Sequence, residues 1–314
     1  MIRLATIGTS TITRSLIGAV GLVDGIDVTA VYSRDAARGR AFADSMGVAD
    51  AFSDLAGMLA SGIDAVYVAS PNTVHEEQAL AAIRAGKHVL VEKPAVTSAP
   101  AWDALCLEAH AHGVVLLEGL RTEYDPALDV IRELMSSLGT IRRVQLSYQR
   151  RSARYDQVLA GDQVNIFDPA MAGGALMDLG VYCVHALVSL FGEPDTVQAA
   201  SVTVASGADG AGSALCSYPG FVAEVLYSKI TTSRLPSEIQ GELGTLLIDQ
   251  IAAPSSLTVE RFDGTSATRV LPPVPHGLLG EVERFVGLVE TSGDAGHDQQ
   301  LTAATLRVVD AIRR

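Results

Sequence analysis

The chain has 314 residues, 48% hydrophobic and 19% charged, enough for two domains with ample cores. Its 23 basic and 36 acidic residues leave a net charge of −13, which argues against a nucleic-acid or anionic-membrane surface, since both need clustered Lys and Arg. Cys106, Cys183 and Cys216 are widely spaced with no CxxC pair and read as reduced thiols in a cytoplasmic protein. No segment is expected to be apolar for long enough to span a bilayer, and "MIRLATIG" enters a strand pattern directly, so no signal peptide is expected.

In chain order, "IRLATIG" (2–8), "VTAVYS" (28–33), "AVYVAS" (65–70), "HVLVE" (88–92) and "VVLLEG" (114–119) are short apolar runs of the kind buried on both faces of a parallel sheet. The segments between them read as helices. Asp35 is an N-cap candidate and Gly47 a stop for one; Thr73 and Glu76 have capping-box spacing and Gly86 a stop for another. Repeated strand–helix–strand units predict a doubly wound parallel sheet of the Rossmann type. After Gly119 the texture changes. Asp125 caps and Pro126 opens a helix, and longer alternating strands follow: "TIRRVQLSYQR", "TVQAASVTVA", "SALCSYPGFVAEVLYSKI", "SEIQGELGTLLIDQI" and "SLTVERF". The fold class is therefore α/β, with a dinucleotide-binding domain over 1–119 and a second α/β domain over 120–314 built on an open, mostly antiparallel sheet. The final amphipathic helix, "DQQLTAATLRVVDAIRR", is able to pack back on the first domain.

Three constellations carry chemistry. The turn "GTSTIT" places Gly8, Thr9, Ser10, Thr11 and Ile12 where a dinucleotide pyrophosphate meets a helix N-terminus, with Ser10 and Thr13 at the second and third glycine positions of the usual fingerprint. Glu92, Lys93 and Pro94 end one strand, and Ser70, Pro71, Asn72 and His75 follow the end of another, where ligands of open parallel sheets bind. In "GGALMDLGVYCVHALVSLFG", Asp178, Tyr182 and His185 interrupt an apolar helix at steps of four and three, which puts all three on one face. No Cys/His/Asp cluster has metal-ligand spacing.

Gly8, "SPNTVH", "EKP" and "GGALMDLGVYCVH" stand in the order and spacing seen in the Gfo/Idh/MocA oxidoreductases, which the chain resembles over essentially its whole length. The resemblance implies hydride transfer between a nicotinamide cofactor and a sugar, cyclitol or related alcohol or carbonyl. It implies Lys93 as the catalytic lysine, Asp178 as the aspartate of the active-site helix, and Tyr182 as the acid–base group. This is the pattern of the branch with xylose dehydrogenase and dimeric dihydrodiol dehydrogenase. Asp178 would then hold Lys93 or a substrate hydroxyl. A non-catalytic, dinucleotide-binding sensor of the same fold is the alternative. Arg121, Tyr124, Arg151, Asp168 and His185 are candidates for binding a small-molecule substrate.

The cofactor expectation is NADP, with NAD possible. NAD binders usually end the second strand with an acidic residue for the ribose hydroxyls. Here Ser33 and Arg34 stand at that point, Arg38 follows one turn later, and Asp35 is better used as a helix cap. Apolar residues on both faces of the second domain's strands predict a homodimer or a dimer of dimers through the sheet.

Overall fold

The computed structural model describes residues Met1–Arg314. It divides into two compact units: Met1–Arg121 with Val274–Ala303, and Thr122–Pro273 with Ala304–Arg314. In chain order the first stretch holds β1 (Ile2–Ile7), α1 (Thr11–Val20), β2 (Ile26–Tyr32), α2 (Ala36–Met46), β3 (Asp50–Phe52), α3 (Leu55–Leu59), β4 (Ala65–Val68), α4 (His75–Arg84), β5 (His88–Glu92), α5 (Ala99–His112) and β6 (Leu116–Gly119). Its strands form one sheet in the order β3-β2-β1-β4-β5-β6, with every adjacent pair parallel. Leu4, Ile7, Val66, Tyr67, Leu90 and Leu117 are buried, as strands covered on both faces require. The order reverses between β1 and β4, which opens the crevice that ligands of such sheets use.

The chain continues with α6 (Ala127–Met135), β7 (Ile141–Gln149), α7 (Tyr155–Leu159), a π-turn over Leu176–Gly180 that runs into α8 (Val181–Phe191), then β8 (Thr196–Thr203), β9 (Asp209–Tyr218), β10 (Phe221–Ser228), β11 (Ser237–Gly241), β12 (Gly244–Ile248), β13 (Ser256–Arg261), β14 (Ser266–Val270), α9 (Leu279–Thr291) and α10 (Gly296–Ile312). The second sheet has eight strands in the order β14-β13-β12-β11-β7-β10-β9-β8. It is antiparallel except for β7 beside β10. Alternate residues, Val144, Leu146, Ala223, Val225, Ile239, Leu246 and Leu257, are buried, and α8 packs on β7 and β10. The alternation of period two is that of a sheet covered on one face.

Several expectations change on contact with the structure. Residues 274–303, placed by sequence with the second domain, group with the first unit. The reason is local: α9 buries Val282, Phe285, Val286 and Leu288 and packs against α1, and Trp102 Nε1 donates to the Gln299 carbonyl at 2.9 Å. The Thr73–Glu76 capping box does not form, because a short 3-10 turn over Asn72–Val74 leads into α4 and no side chain caps it. One segment, Pro169–Phe191, is after all long and apolar enough to cross a membrane by length and composition; it is largely buried and contains the core helix α8. Asp35 does cap α2, accepting from Arg38 N at 3.0 Å, and Gly47 ends that helix in the left-handed conformation. The three cysteines are free thiols; burial pushes Cys106 up to about 12 and Cys216 up to about 11, so both remain protonated and unreactive.

Candidate functional site

The candidate site residues fall into two groups, one in each unit. In the first unit they line the C-terminal ends of the parallel strands. Gly8 follows β1 with φ +114°, and a Cβ there would lie 2.5 Å from the Ala69 carbonyl oxygen at the end of β4. Only glycine fits both the conformation and the space. This brings the turn down onto β4, and α1 begins at Thr11 with Ser10 as its N-cap. Ser10 Oγ and Thr13 Oγ1 lie 3.3 Å apart, and no side chain caps the helix, so its first N–H groups are left for an anion.

Beside this turn is a cavity of about 460 Å³ lined by Thr9, Arg14, Arg38, Ala41, Phe42 and Ser45. The Arg14 guanidinium sits 5.1 Å from the centre of the Phe42 ring. Arg34 and Arg38 are exposed. Ser33 Oγ accepts from Asp35 N at 3.3 Å, which leaves its own hydroxyl proton to donate. The Asp35 carboxylate is held on the helix it caps. Arg14 and Phe42 were missed in the sequence because each stands alone on its helix; only the fold brings them together.

The ends of β4 and β5 are tied through His75, whose ring nitrogens lie 2.9 Å from the Pro94 carbonyl and 2.7 Å from the Ser70 carbonyl. His75 is fully buried, and burial holds its imidazole below the ordinary histidine range against those two carbonyls. It was expected at the cofactor; the structure places it behind the turns that carry Ser70, Pro71, Asn72 and Lys93. Ser70 Oγ bonds Gln78 Oε1. Pro71, Asn72 and Lys93 are half-buried, and the Lys93–Pro94 peptide is cis.

Behind Lys93 lies a group of carboxyls. Tyr67 donates to Glu92 Oε2 at 2.7 Å, and Ala95 N donates to Glu118 Oε1 at 2.9 Å. Glu281, from the first turn of α9, is fully buried, and neither of its oxygens has a hydrogen-bond partner. Its carboxyl lies against Gly119, where a Cβ would come within 3.3 Å of Oε1. Burial pushes Glu92 up to about 6, opposed by the Lys93 charge and the Tyr67 hydrogen bond. Burial and then the Glu92 charge raise Glu281 well above the usual carboxylate range, opposed by Arg121. Arg121, expected at the substrate, thus places its charge on Glu92 and Glu281. Neither Glu118 nor Glu281 was found by sequence. The pattern was present: Glu281 shares a helical face with buried Phe285 and Leu288, and Glu118 sits inside an apolar strand.

In the second unit the polar stripe begins on the π-turn. Such turns occur often at functional sites, because one extra residue re-aims side chains. The preceding glycines allow close approach from inside the unit: a Cβ on Gly173 would strike the backbone of Asn165 to Asp168, and one on Gly174 would strike the Asp209 carboxylate. Asp209 Oδ2 accepts from Leu176 N at 2.7 Å and so fixes the start of the turn. Asp178 carries a side chain 41% exposed, paired at 2.8 Å with Lys229 Nζ. Tyr182 is 8% exposed, and its ring meets that of Tyr148 edge-on, centroids 5.7 Å apart.

His185 differs from the expectation. It is buried, with Nε2 3.1 Å from Glu123 Oε2 and Nδ1 3.1 Å from Thr305 Oγ1, so both ring nitrogens are engaged within the unit. Burial raises Glu123, but hydrogen bonds from His185 and Ser189 and the charges of His185 and Arg132 outweigh it and hold this carboxyl below the usual range. Asp168 caps a short turn, accepting from Ala170 N at 2.9 Å. Tyr124 is half-buried, and Arg151 pairs with Asp156 at 2.7 Å on the surface.

Comparison with known proteins follows the same division. Residues 2–120 match the family model described as the Gfo/Idh/MocA oxidoreductase family, NAD-binding Rossmann fold, and residues 131–247 match the Gfo/Idh/MocA C-terminal domain. The chain is 42% identical over 291 residues to scyllo-inositol 2-dehydrogenase (NADP(+)) IolU of Bacillus subtilis, covering 92% of this chain and 89% of that protein. It is 32% identical to D-xylose 1-dehydrogenase (NADP(+)) 2 of Haloferax volcanii, covering 91% and 88%. Among solved structures, the 3-ketoreductase KijD10 of Actinomadura kijaniata with NADP and TDP-benzene superposes with a TM-score of 0.88 at 24% identity, over 99% of this chain and 97% of that one.

The carboxyl group around Glu281 yields a pH prediction. A carboxyl whose folded pKa is raised stabilises the fold below its unfolded pKa, and that stability is lost as pH rises through the folded value. Glu281→Gln keeps the shape and removes the titration. The variant is expected to melt above wild type at pH 8, by about 2–4 °C for each kcal/mol recovered, with the difference shrinking as pH falls toward 5. A lower melting temperature for Glu281→Gln at pH 8 would mean that the fold uses Glu281 as an anion.

Proposed function

The chain belongs to the Gfo/Idh/MocA oxidoreductase family, and from that premise we propose that it transfers a hydride between NADP(H) and a polyol, sugar or related hydroxy or carbonyl compound. The observation that carries the cofactor assignment is the commitment of Asp35 to capping α2. No carboxylate is then aimed at a ribose 2′-phosphate, while Ser33 has a proton to donate and Arg34 and Arg38 supply charge. The uncapped start of α1, with Gly8, Thr9, Ser10, Thr11 and Ile12, fits the pyrophosphate. Ser70, Pro71, Asn72, Glu92 and Lys93 fit the nicotinamide end at the strand termini. The NADP(+)-dependent names of the Bacillus subtilis and Haloferax volcanii relatives support the same choice.

When bound, the nicotinamide exchanges a hydride with the substrate carbon. The chain's own residues handle the substrate oxygen. Tyr182 removes the hydroxyl proton in oxidation and returns it in reduction, and Lys93 stabilises negative charge on that oxygen. A free tyrosine, with a pKa of about 10, is a poor base at neutral pH, and a nearby ammonium favours its phenolate. Asp178 binds a substrate hydroxyl through its exposed edge. His185 holds Glu123 and thereby the segment that carries Tyr124. The free, protonated thiols support a cytoplasmic location.

The outer face of the second sheet supports a homodimer or a dimer of dimers. Leu215 and Val222 are 41% and 40% exposed there, beside half-buried Leu226 and the Arg143–Glu224 ion pair, and half-buried Leu247 lies further across the same face.

Three outcomes are expected. Steady-state assays over a polyol and aldose panel give higher kcat/KM with the NADP pair than with the NAD pair, and Arg34→Ala loses most of that preference; better efficiency with NAD would return Asp35 to the ribose. Lys93→Ala and Tyr182→Phe each lower kcat by roughly two orders of magnitude or more with little change in NADPH affinity; near-normal turnover in both would overturn their roles. Light scattering at micromolar concentration shows a dimer or tetramer, and a monomer would reject the sheet-face assembly.

A further inference from the structure

Lys229, in the turn after β10, is 2% exposed, so its ammonium is internal. Its Nζ lies 2.8 Å from Asp178 Oδ2, donates to the Ile166 carbonyl at 2.9 Å, and sits 4.7 Å from the centre of the Phe167 ring. Burying an ammonium costs several kcal/mol unless its neighbours compensate closely. Here the cation is dry while the carboxylate side chain is 41% exposed.

The pair is thus asymmetric. Lys229 fixes Asp178 Oδ2 from inside, while the Asp178 side chain is still partly exposed. Phe167 is itself fully buried in a small apolar cluster with Val158 and Val164. The backbone beneath the ammonium is held by Gly173, which admits the 165–168 chain where any side chain would collide. Lys229 N also donates to the Gly210 carbonyl at 2.8 Å, beside Asp209, which fixes the start of the π-turn. Both ends of the lysine are therefore anchored to the elements that aim Asp178, one turn before Tyr182.

We infer that Lys229 is a positioning residue for hydride transfer: its buried ammonium holds the Asp178 carboxylate on the π-turn, oriented toward a substrate hydroxyl, and locks that turn to the 165–171 segment. The inference rests on the role given to Asp178 above. Methionine at this position keeps the apolar stem and removes the charge.

The test compares wild type, Lys229→Met, Asp178→Asn and the double variant for kcat, KM, NADPH affinity and melting temperature. Lys229→Met is expected to lower kcat by roughly 10²-fold, the scale of a ~1 Å misplacement, with NADPH affinity retained. In the Asp178→Asn background it should change kcat only within about twofold, because both variants then remove the same interaction. Effects that multiply, or a Lys229→Met enzyme with normal kcat, overturn the inference while leaving the hydride-transfer reading intact. A wild type that turns over nothing in the panel overturns both. Should Lys229→Met fail to fold, Phe167→Leu decides the matter. It withdraws the ring beneath the ammonium; a several-fold loss of kcat with NADPH affinity intact supports the inference, and unchanged kcat rejects it.

Discussion

The Lys229 ammonium cannot reach water, so the surrounding chain must supply what water would have supplied. That requirement accounts for much of the second unit's local structure. Asp178 is drawn to the ammonium, the Ile166 carbonyl is turned toward it, and Phe167 offers its ring. Gly173 is needed because the chain that carries Ile166 and Phe167 passes too close for a side chain, and Gly174 because the Asp209 carboxylate does. The interruption of regular helix over Leu176–Gly180 falls at the same place. An apolar core made only of α8 on the sheet would leave the direction of Asp178 open; a buried charge does not.

The first unit meets the same constraint with the opposite sign. Three carboxyls, Glu92, Glu118 and Glu281, share a buried region with the charges of Lys93 and Arg121. Three anions beside two cations in a site of low polarity favour retention of one proton. Glu281 is the carboxyl with no hydrogen-bond donor, and burial raises it well above the usual carboxylate range. Lys93 therefore stands at a strand end backed by groups whose protonation is set by burial. Proton-transfer sites commonly have this construction, since charge that cannot be dispersed by solvent acts strongly on its neighbours.

Much of this was legible in the sequence, for physical reasons that differ by element. Strands buried on both faces announce themselves as unbroken apolar runs, and all five expected strands of the parallel sheet appear, with the short β3 added at its edge. Asp35 and Gly47 were readable because caps obey local rules. The Asp178–Tyr182–His185 stripe was readable because helical spacing defines a face, although His185 proved to bond Glu123 and Thr305. What stayed hidden depends on residues far apart in the chain. Lys229 lies about 50 residues beyond Asp178, and no local pattern links them, though a lysine ending an apolar strand repeats the feature that drew attention to Lys93. The return of 274–303 to the first unit was hidden because an amphipathic helix shows that it needs a partner without showing which one.

The central claim is that this chain moves a hydride, and isotope transfer tests it most directly. Wild-type protein would be incubated with NADPH carrying deuterium at both C4 positions of the nicotinamide and with the oxidised forms of inositols and pentoses, and the products examined by mass spectrometry. The account predicts one deuterium on the former carbonyl carbon of at least one product, formed at a rate slowed by the label. Tight NADPH binding with no deuterium in any product would contradict it, and would make the chain a dinucleotide-binding sensor built on the same fold.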